Sequence, residues 1–191
     1  MEPLELVGLM GRIFDSLDVP WVLGGSMASS IAGEPRSTMD IDMAVRLDLD
    51  RARQFIEAVT PDFYASIDMI RDAVVHCSSF SVLQYESMMK VDVFVLGDDL
   101  LDRRQMDRRH RVVLKDPAGL AVWVGSVEDQ VLRKLRWYRM GHEVSDRQWR
   151  DVLGILTVQA GAIDLDDIRE TAVLLGLDDL VRRALTEAGI A

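Results

Sequence analysis

The stretch of sequence that decides the fold is WVLGGSMASSIAGEPRSTMDIDMAV, residues 21–45. A short apolar run ends in GGS, a short helical pattern follows, and a second apolar run is interrupted by Asp40 and Asp42. Aspartate is a poor strand former, and two carboxylates on one face of a strand repel each other. A protein that keeps both acids in a buried type of strand needs something that offsets this cost.

Hydrophobic periodicity on either side of this stretch predicts a mixed α/β fold. The predicted helices cover residues 4–17, 27–32, 52–59 and 68–75, and the predicted strands cover 21–23, 37–46, 80–85, 91–96, 111–114 and 120–125. After Gly125 only helical patterns follow, with N-caps expected at Ser126, Ser145 and Asp164. We therefore expect an α/β (α+β) mixed sheet flanked by helices over residues 1–125, and a helical C-terminal region, 126–191, packed on it.

Composition narrows the class of protein. The net charge of −10 disfavours general nucleic-acid binding. Arginines nevertheless cluster at 103–111, 133–139 and 147–150, where they form either local basic surfaces or solvated ion pairs with nearby acids. No apolar run reaches the length of a membrane span, the first residues lack a basic signal-peptide start, and one cysteine excludes a disulfide framework. We expect a soluble, cytoplasmic protein with no membrane partner.

Two of the acids share one strand, and a third lies in a later one. Residues two apart point to the same face of a strand, so Asp40 and Asp42 project together, with Arg36 and Thr38 in line if the strand extends that far. Asp92 interrupts another β-type run, and the three carboxylates converge if the two strands are neighbours. Such a cluster calls for a hard divalent cation, and Mg²⁺ binds carboxylates together with phosphate oxygens.

The glycine turn fits the other half of a Mg²⁺–triphosphate ligand. Gly24 and Gly25 permit close approach of backbone, and a helix starting near Ser26 directs free N–H groups and its dipole at an anion. A GG turn alone is usually only a tight turn. Its combination with the acids is far more specific, with thirteen residues between Ser26 and Asp40.

At these residues the chain resembles the nucleotidyltransferase superfamily with a polymerase-β-like palm. That superfamily is marked by an apolar residue followed by G[GS], an Asp-apolar-[Asp/Glu] strand, and a third acid in a later strand. The resemblance implies that Asp40, Asp42 and Asp92 bind two Mg²⁺ ions and complete the catalytic site. It also implies that Gly24, Gly25 and Ser26 hold the triphosphate, and we expect Arg36 and Thr38 to contact the nucleotide.

A narrower resemblance rests on RSTMDIDM, VEDQVLRKLRWYRM and RQWRDVLGIL, so that it spans about residues 20–156. These segments are similar to the AbiEii-type nucleotidyltransferases found as bacterial toxins in toxin–antitoxin pairs. Lys134 and Asp151 stand where that family has active-site residues, which implies a phosphate contact for Lys134. From the residues alone, an exposed helical lysine and a solvated ion pair between Arg147 and Asp151 explain them equally well. On that basis we expect Lys134→Ala to leave the fold intact.

Three functions follow from this sequence. The first is a Mg²⁺-dependent nucleotidyltransferase that moves a nucleoside monophosphate from an NTP to an acceptor hydroxyl on RNA, protein or a small molecule. Such an enzyme could be a component of a toxin–antitoxin pair, with an antitoxin protein as its partner. The second is an aminoglycoside-type antibiotic nucleotidyltransferase, which suits an acidic protein. The third is a catalytically silent nucleotide-binding or partner-binding module of a toxin–antitoxin pair.

Overall fold

The computed structural model describes residues 2–34, 40–114 and 119–190. Its elements in chain order are α1 (Pro3–Ser16), β1 (Trp21–Leu23), α2 (Gly25–Ala32), β2 (Ile41–Val45), α3 (Leu49–Val59), β3 (Phe63–Tyr64), α4 (Ile67–His76), β4 (Ser79–Gln84), β5 (Lys90–Val95), α5 (Leu100–Asp107), β6 (His110–Val113), β7 (Ala121–Val124), α6 (Val127–Met140), α7 (Asp146–Val158), α8 (Leu165–Leu175) and α9 (Asp178–Glu187).

The strands form one seven-stranded mixed sheet in the order β3-β4-β5-β2-β1-β7-β6. The β2–β5 and β1–β7 pairs are parallel, and the other neighbouring pairs are antiparallel. The two strands that carry the predicted acids, β2 and β5, are therefore direct neighbours in the middle of the sheet. The predicted α/β fold class is confirmed.

Alternating burial gives the sheet two different faces. On one face, Phe14 of α1 stacks on Phe55 of α3 with ring centroids 5.2 Å apart, and Phe55 meets the edge of Phe80 of β4 at 5.9 Å. On the other face, Met106 of α5 packs with Val22 and Ala44. The first face carries fully buried aromatic residues, whereas positions of β4 and β5 on the second face are only half-buried. Polar groups are tolerated on the second face for this reason.

The chain divides into two compact units, Met1–Met27 with Ser37–Gly125, and Ala28–Arg36 with Ser126–Ala191. In the second unit, Ser126, Ser145 and Asp164 cap α6, α7 and α8 by accepting backbone N–H groups, as their positions in the sequence predict. Helices α6 and α7 meet through Tyr138 and Trp149, whose ring centroids are 5.1 Å apart. Trp149 Nε1 also donates to a carboxylate oxygen of α9, so that three helices share one aromatic contact.

The structure adds two elements to the predicted set. Helix α5 lacks an apolar stripe and carries many charged residues, but the side chain of Asp99 accepts the N–H of Asp102 and caps its first turn. Strand β3 has two residues, too few to show a period. Of the predicted strand over 37–46, residues 37–39 lie outside the described residues and 41–45 form β2. Across the described ranges, no helix is long and apolar enough to cross a membrane.

Candidate active site

The glycine turn lies directly against Asp42. The N–H of Gly24 donates to the carbonyl oxygen of Asp42 at 2.8 Å, which extends the β1–β2 ladder by one residue. Helix α2 begins at Gly25, whose φ is +56°. A Cβ atom on Gly25 would lie 1.8 Å from Asp42 Oδ2 and 2.6 Å from Asp42 Cγ. Both the left-handed backbone and the proximity of this carboxylate therefore require glycine here.

The third predicted acid stands beside the second. In the parallel β2–β5 pair, Asp42 is in register with Asp92, and both are half-buried on the same face of the sheet. Asp40 is exposed and directly precedes β2. Ser26 lies in the first turn of α2 and is 5% exposed. The first unit thus brings Asp42 and Asp92 together and places the glycine turn against Asp42.

Two side chains beside Asp92 were not predicted from the sequence. The Ser81 hydroxyl donates to Asp92 Oδ1 from β4, the strand on the other side of β5. The ammonium of Lys90 lies 2.7 Å from Asp92 Oδ2. The hydrogen bond with Asp92 raises the pKa of Lys90, and the charges of Asp42 and Asp40 act in the same direction. Lys90 therefore interacts with all three carboxylates.

Sequence signals for these two residues exist but are weak. Lys90 is two positions before Asp92 in the same strand, so strand periodicity places both on one face. Ser81 could be found only from the register of the β4–β5 hairpin, which pairs Ser81 with Asp92. A serine in an alternating strand is otherwise an ordinary surface residue.

The donor chemistry suits a hard divalent cation. Asp42 and Asp92 present carboxylate oxygens on neighbouring strands, and Asp40 adds a third acid whose charge reaches the same lysine. Within the described part of the chain, no three His, Cys, Asp or Glu side chains form a ready metal site.

Lys134 and Asp151 form a buried ion pair in the second unit. Lys134 Nζ lies 2.8 Å from Asp151 Oδ2 and 3.3 Å from Gln148 Oε1, and the two charged side chains are 9% and 10% exposed. The expected exposure of Lys134 is therefore wrong, and with it the reason for expecting an intact fold after Lys134→Ala. Removal of either charge would take an opposite charge away from a side chain that stays buried. A phosphate contact for Lys134 stays a prediction.

The remaining predicted residues are either outside the described ranges or engaged in packing. Arg36 and Thr38 lie outside the described residues. In the first arginine cluster, the guanidinium groups of Arg109 and Arg111 lie 5.1 and 5.6 Å from the centroid of the Trp123 ring. These two arginines cover an aromatic side chain of the sheet, which accounts for part of the basic run without a nucleic-acid ligand.

Comparison with known proteins shows similarity in fold to solved structures, without a match to a protein family or to a curated sequence. No protein-family profile matches the chain, and no curated protein matches its sequence. Among solved structures, an antigenic nucleotidyltransferase-like protein from Paracoccidioides brasiliensis aligns over 98% of this chain and 91% of its own, with TM-score 0.58 and 18% identity. The antibiotic-resistance factor ANT(2″)-Ia in complex with adenylyl-2″-tobramycin aligns over 94% and 97%, with TM-score 0.58 and 14% identity.

The lincosamide antibiotic adenylyltransferase LnuA, bound to lincomycin, aligns over 77% of this chain and 92% of its own, with TM-score 0.50 and 13% identity. At these identities the similarity concerns the fold. It covers both the sheet that carries Asp42 and Asp92 and, in the first two structures, nearly the whole chain. The chain has the mixed α/β fold of nucleotidyltransferase-type proteins.

Proposed function

We propose that this chain is a Mg²⁺-dependent nucleotidyltransferase that moves a nucleoside monophosphate from an NTP to an acceptor hydroxyl. The observation that carries the proposal is the in-register pair of Asp42 and Asp92 on neighbouring parallel strands, with a glycine turn pressed against Asp42. Two adjacent carboxylates destabilise a sheet unless a cation is bound there. The fold shared with nucleotidyltransferase-type structures supports the same reading.

Each group has a role in this reaction. Asp40, Asp42 and Asp92 would hold Mg²⁺, which when bound neutralises the triphosphate and stabilises the attacking and leaving oxygens. The N–H groups of the first turn of α2, at Gly25 and Ser26, would donate to phosphate oxygens with the helix dipole behind them. The turn and the acids lie together, so one ligand could contact both.

The transfer step is a displacement at phosphorus. The acceptor hydroxyl oxygen forms a bond to the α-phosphorus, and the bond from that phosphorus to the bridging oxygen breaks, so that pyrophosphate leaves with the electron pair. The hydroxyl proton passes to the Asp92 carboxylate. Ser81, by donating to Asp92 Oδ1, would fix the orientation of that carboxylate.

The buried Lys134–Asp151 pair has a proposed role that follows from the AbiEii-type resemblance. Lys134 would act as a point charge on the triphosphate, and Asp151 would hold the ammonium in position. The 2.8 Å contact between them supports the second half of this assignment. A toxin–antitoxin role, with an antitoxin partner, stays a prediction from the same resemblance.

A cationic antibiotic is the acceptor that the charge of the protein favours. The net charge of −10 attracts a polycation and repels RNA. ANT(2″)-Ia, whose structure was solved with adenylyl-2″-tobramycin, has the same fold and is of similar length. RNA ends and protein hydroxyls remain the alternatives, and one assay separates the three.

The test combines ligand binding with transfer. We expect Mg²⁺ together with NTP to raise the melting temperature, and NTP with EDTA to raise it little, because a ligand stabilises only the state that binds it. Asp42→Asn should abolish the effect. Asp50→Asn, which removes an equal charge from the exposed first turn of α3, should keep it. An equal shift with EDTA would contradict the proposal.

Transfer is measured with each α-labelled NTP, Mg²⁺ and three acceptor classes: tobramycin, tRNA and a mixture of proteins. We expect label on the acceptor and release of pyrophosphate, both lost in Asp42→Asn. Metal-dependent NTP binding without transfer to any of the three would favour the silent binding module instead.

A further inference from the structure

Both oxygens of the Asp92 carboxylate already hold a donor. Oδ1 accepts the hydroxyl of Ser81, and Oδ2 lies 2.7 Å from the ammonium of Lys90. A metal ion or an acceptor hydroxyl that engages Asp92 must share or displace one of these donors. The two donors differ in how firmly they are held.

Ser81 is fixed by the sheet. It is half-buried in β4, is directly in register with Asp92, and has a short side chain with little freedom to move away. A carboxylate oxygen has two acceptor positions, so the Ser81 hydrogen bond is compatible with a further ligand on Oδ1. Lys90 is held less firmly, because it is the first residue of β5 and its side chain is 57% exposed. Its ammonium is also carried by a flexible chain of four carbons.

Lys90 also brings a positive charge to the three acids. Asp42 and Asp92 contribute two negative charges to one face and Asp40 adds a third just before β2, and the charges of all three act on the Lys90 ammonium. A divalent cation is attracted by the same three carboxylates. The Lys90 ammonium and a metal ion therefore compete for Asp92 Oδ2, and both are attracted by the negative potential of the three carboxylates.

We infer that Lys90 is the resident counter-cation of the carboxylate face, and that a divalent cation binds by displacing the ammonium from Asp92 Oδ2. This inference rests on the proposed function, since it concerns the same metal site. The ammonium would offset part of the repulsion between the neighbouring carboxylates. It also makes Lys90 a residue that sets metal affinity without contacting the metal.

The expected effect follows from Coulomb's law. A unit positive charge about 6 Å from a divalent cation opposes its binding by about tenfold in water, and by about threefold once physiological salt screens it. Loss of the charge at Lys90 should therefore tighten metal binding by about three- to tenfold. Arginine at the same position keeps the charge and should keep the affinity within about twofold.

The experiment measures Mn²⁺ binding to the full chain by electron paramagnetic resonance, with no nucleotide present. The variants are Lys90→Met, Lys90→Arg and Asp42→Asn. Arg169→Met is the matched control, because it removes one positive charge from an exposed ion pair with Asp166 on α8. Only Lys90→Met should bind Mn²⁺ more tightly than the wild type, and Asp42→Asn should bind it weakly or not at all.

A second readout uses the metal-free protein. In EDTA, Lys90→Met should melt about 1–3 °C below the wild type, because Asp92 loses the ammonium on Oδ2, and Lys90→Arg should not. Saturating Mn²⁺ should then raise the melting temperature of Lys90→Met more than that of the wild type.

The outcomes separate the inference from the proposed function. Unchanged or weaker Mn²⁺ binding by Lys90→Met, with Asp42-dependent binding by the wild type, would overturn the inference alone. Weaker binding of Mn²⁺–NTP by Lys90→Met, with Mn²⁺ affinity unchanged, would make Lys90 a phosphate ligand and overturn it as well. Mn²⁺ binding by the wild type that depends on Asp42 only when NTP is present would also overturn the inference alone. If Asp42→Asn binds Mn²⁺ and Mn²⁺–NTP as the wild type does, both statements fail.

Discussion

Gly25→Ala tests the contact between the glycine turn and Asp42. Two separate costs are expected at this position. A φ of +56° costs an L-residue about 1–2 kcal/mol. The new Cβ, 1.8 Å from Asp42 Oδ2, must also push that carboxylate away by more than an ångström to reach an allowed distance. Overpacking of this kind costs about 1–3 kcal/mol, at the low end here because the displaced atom is the tip of a half-buried side chain.

The expected total is a loss of about 2–3 kcal/mol in the free energy of unfolding, measured by urea denaturation. Two other glycines separate the terms. Gly24→Ala, where a Cβ would lie 3.5 Å from Asp42 O and φ is not positive, should cost clearly less than 1 kcal/mol. Gly176→Ala at the end of α8, with φ +65° and open space around its Cβ, should show the backbone cost alone.

A double-mutant cycle then isolates the contact itself. In an Asp42→Ala background the carboxylate is gone, so Gly25→Ala should cost about 1 kcal/mol less than it does in the wild type. The cost that remains should be somewhat above that of Gly176→Ala, because the Cβ of residue 42 would still lie 2.9 Å from the new Cβ. An identical loss in both backgrounds, or a Gly25→Ala variant as stable as Gly24→Ala, would refute the contact on which the triphosphate proposal depends.

Two further predictions concern the helical unit. Lys134→Met should lower the free energy of unfolding, measured by urea denaturation, by about 3 kcal/mol, because it leaves Asp151 charged and buried. Adding Asp151→Leu to the same chain should recover most of this loss. A loss below about 1 kcal/mol would show that the pair is solvated. Arg139 lowers the pKa of Asp179 through a hydrogen bond, so this pair stabilises the protein above the ordinary Asp pKa of 3.8, and the gain is lost as pH falls below it. Thermal melts between pH 5 and 3 should fall less steeply for Asp179→Asn than for the wild type, and equal slopes would contradict the assignment.

The sequence predicted the elements whose signal is local. Helices α6, α7 and α8 start at Ser126, Ser145 and Asp164 because a side-chain oxygen at the N-cap satisfies a free N–H, which is a rule of three or four residues. Which residues of β2 point to the same face follows from the strand period of two residues alone. By contrast, α5 has no apolar stripe, and only its cap at Asp99 marks it. Periodicity was therefore informative where an element has enough apolar residues to mark its buried face, whereas α5 buries only two apolar side chains, Leu101 and Met106.

The burial of Lys134 could not be predicted from its own helix. A lysine in a charged helical segment is normally exposed, because a buried ammonium without a partner is very costly. Its partner, Asp151, is seventeen residues away on another helix, and that pairing appears only once α6 and α7 pack together. The AbiEii-type resemblance singled out both residues, but neither it nor the helical period indicated that they contact each other.

The difference between local signals and contacts made only in the folded chain also applies to the carboxylates of Asp42 and Asp92. Asp42 alone is a poor choice for a central strand, and Asp92 in register with it adds a repulsion that no local sequence rule records. The structure offsets part of that cost with one hydroxyl and one ammonium, and it leaves these positions half-buried rather than dry. Apolar residues in both strands would make a more stable sheet. A cluster that lowers stability in the absence of a ligand, and gains it when a cation binds, is what a metal site requires.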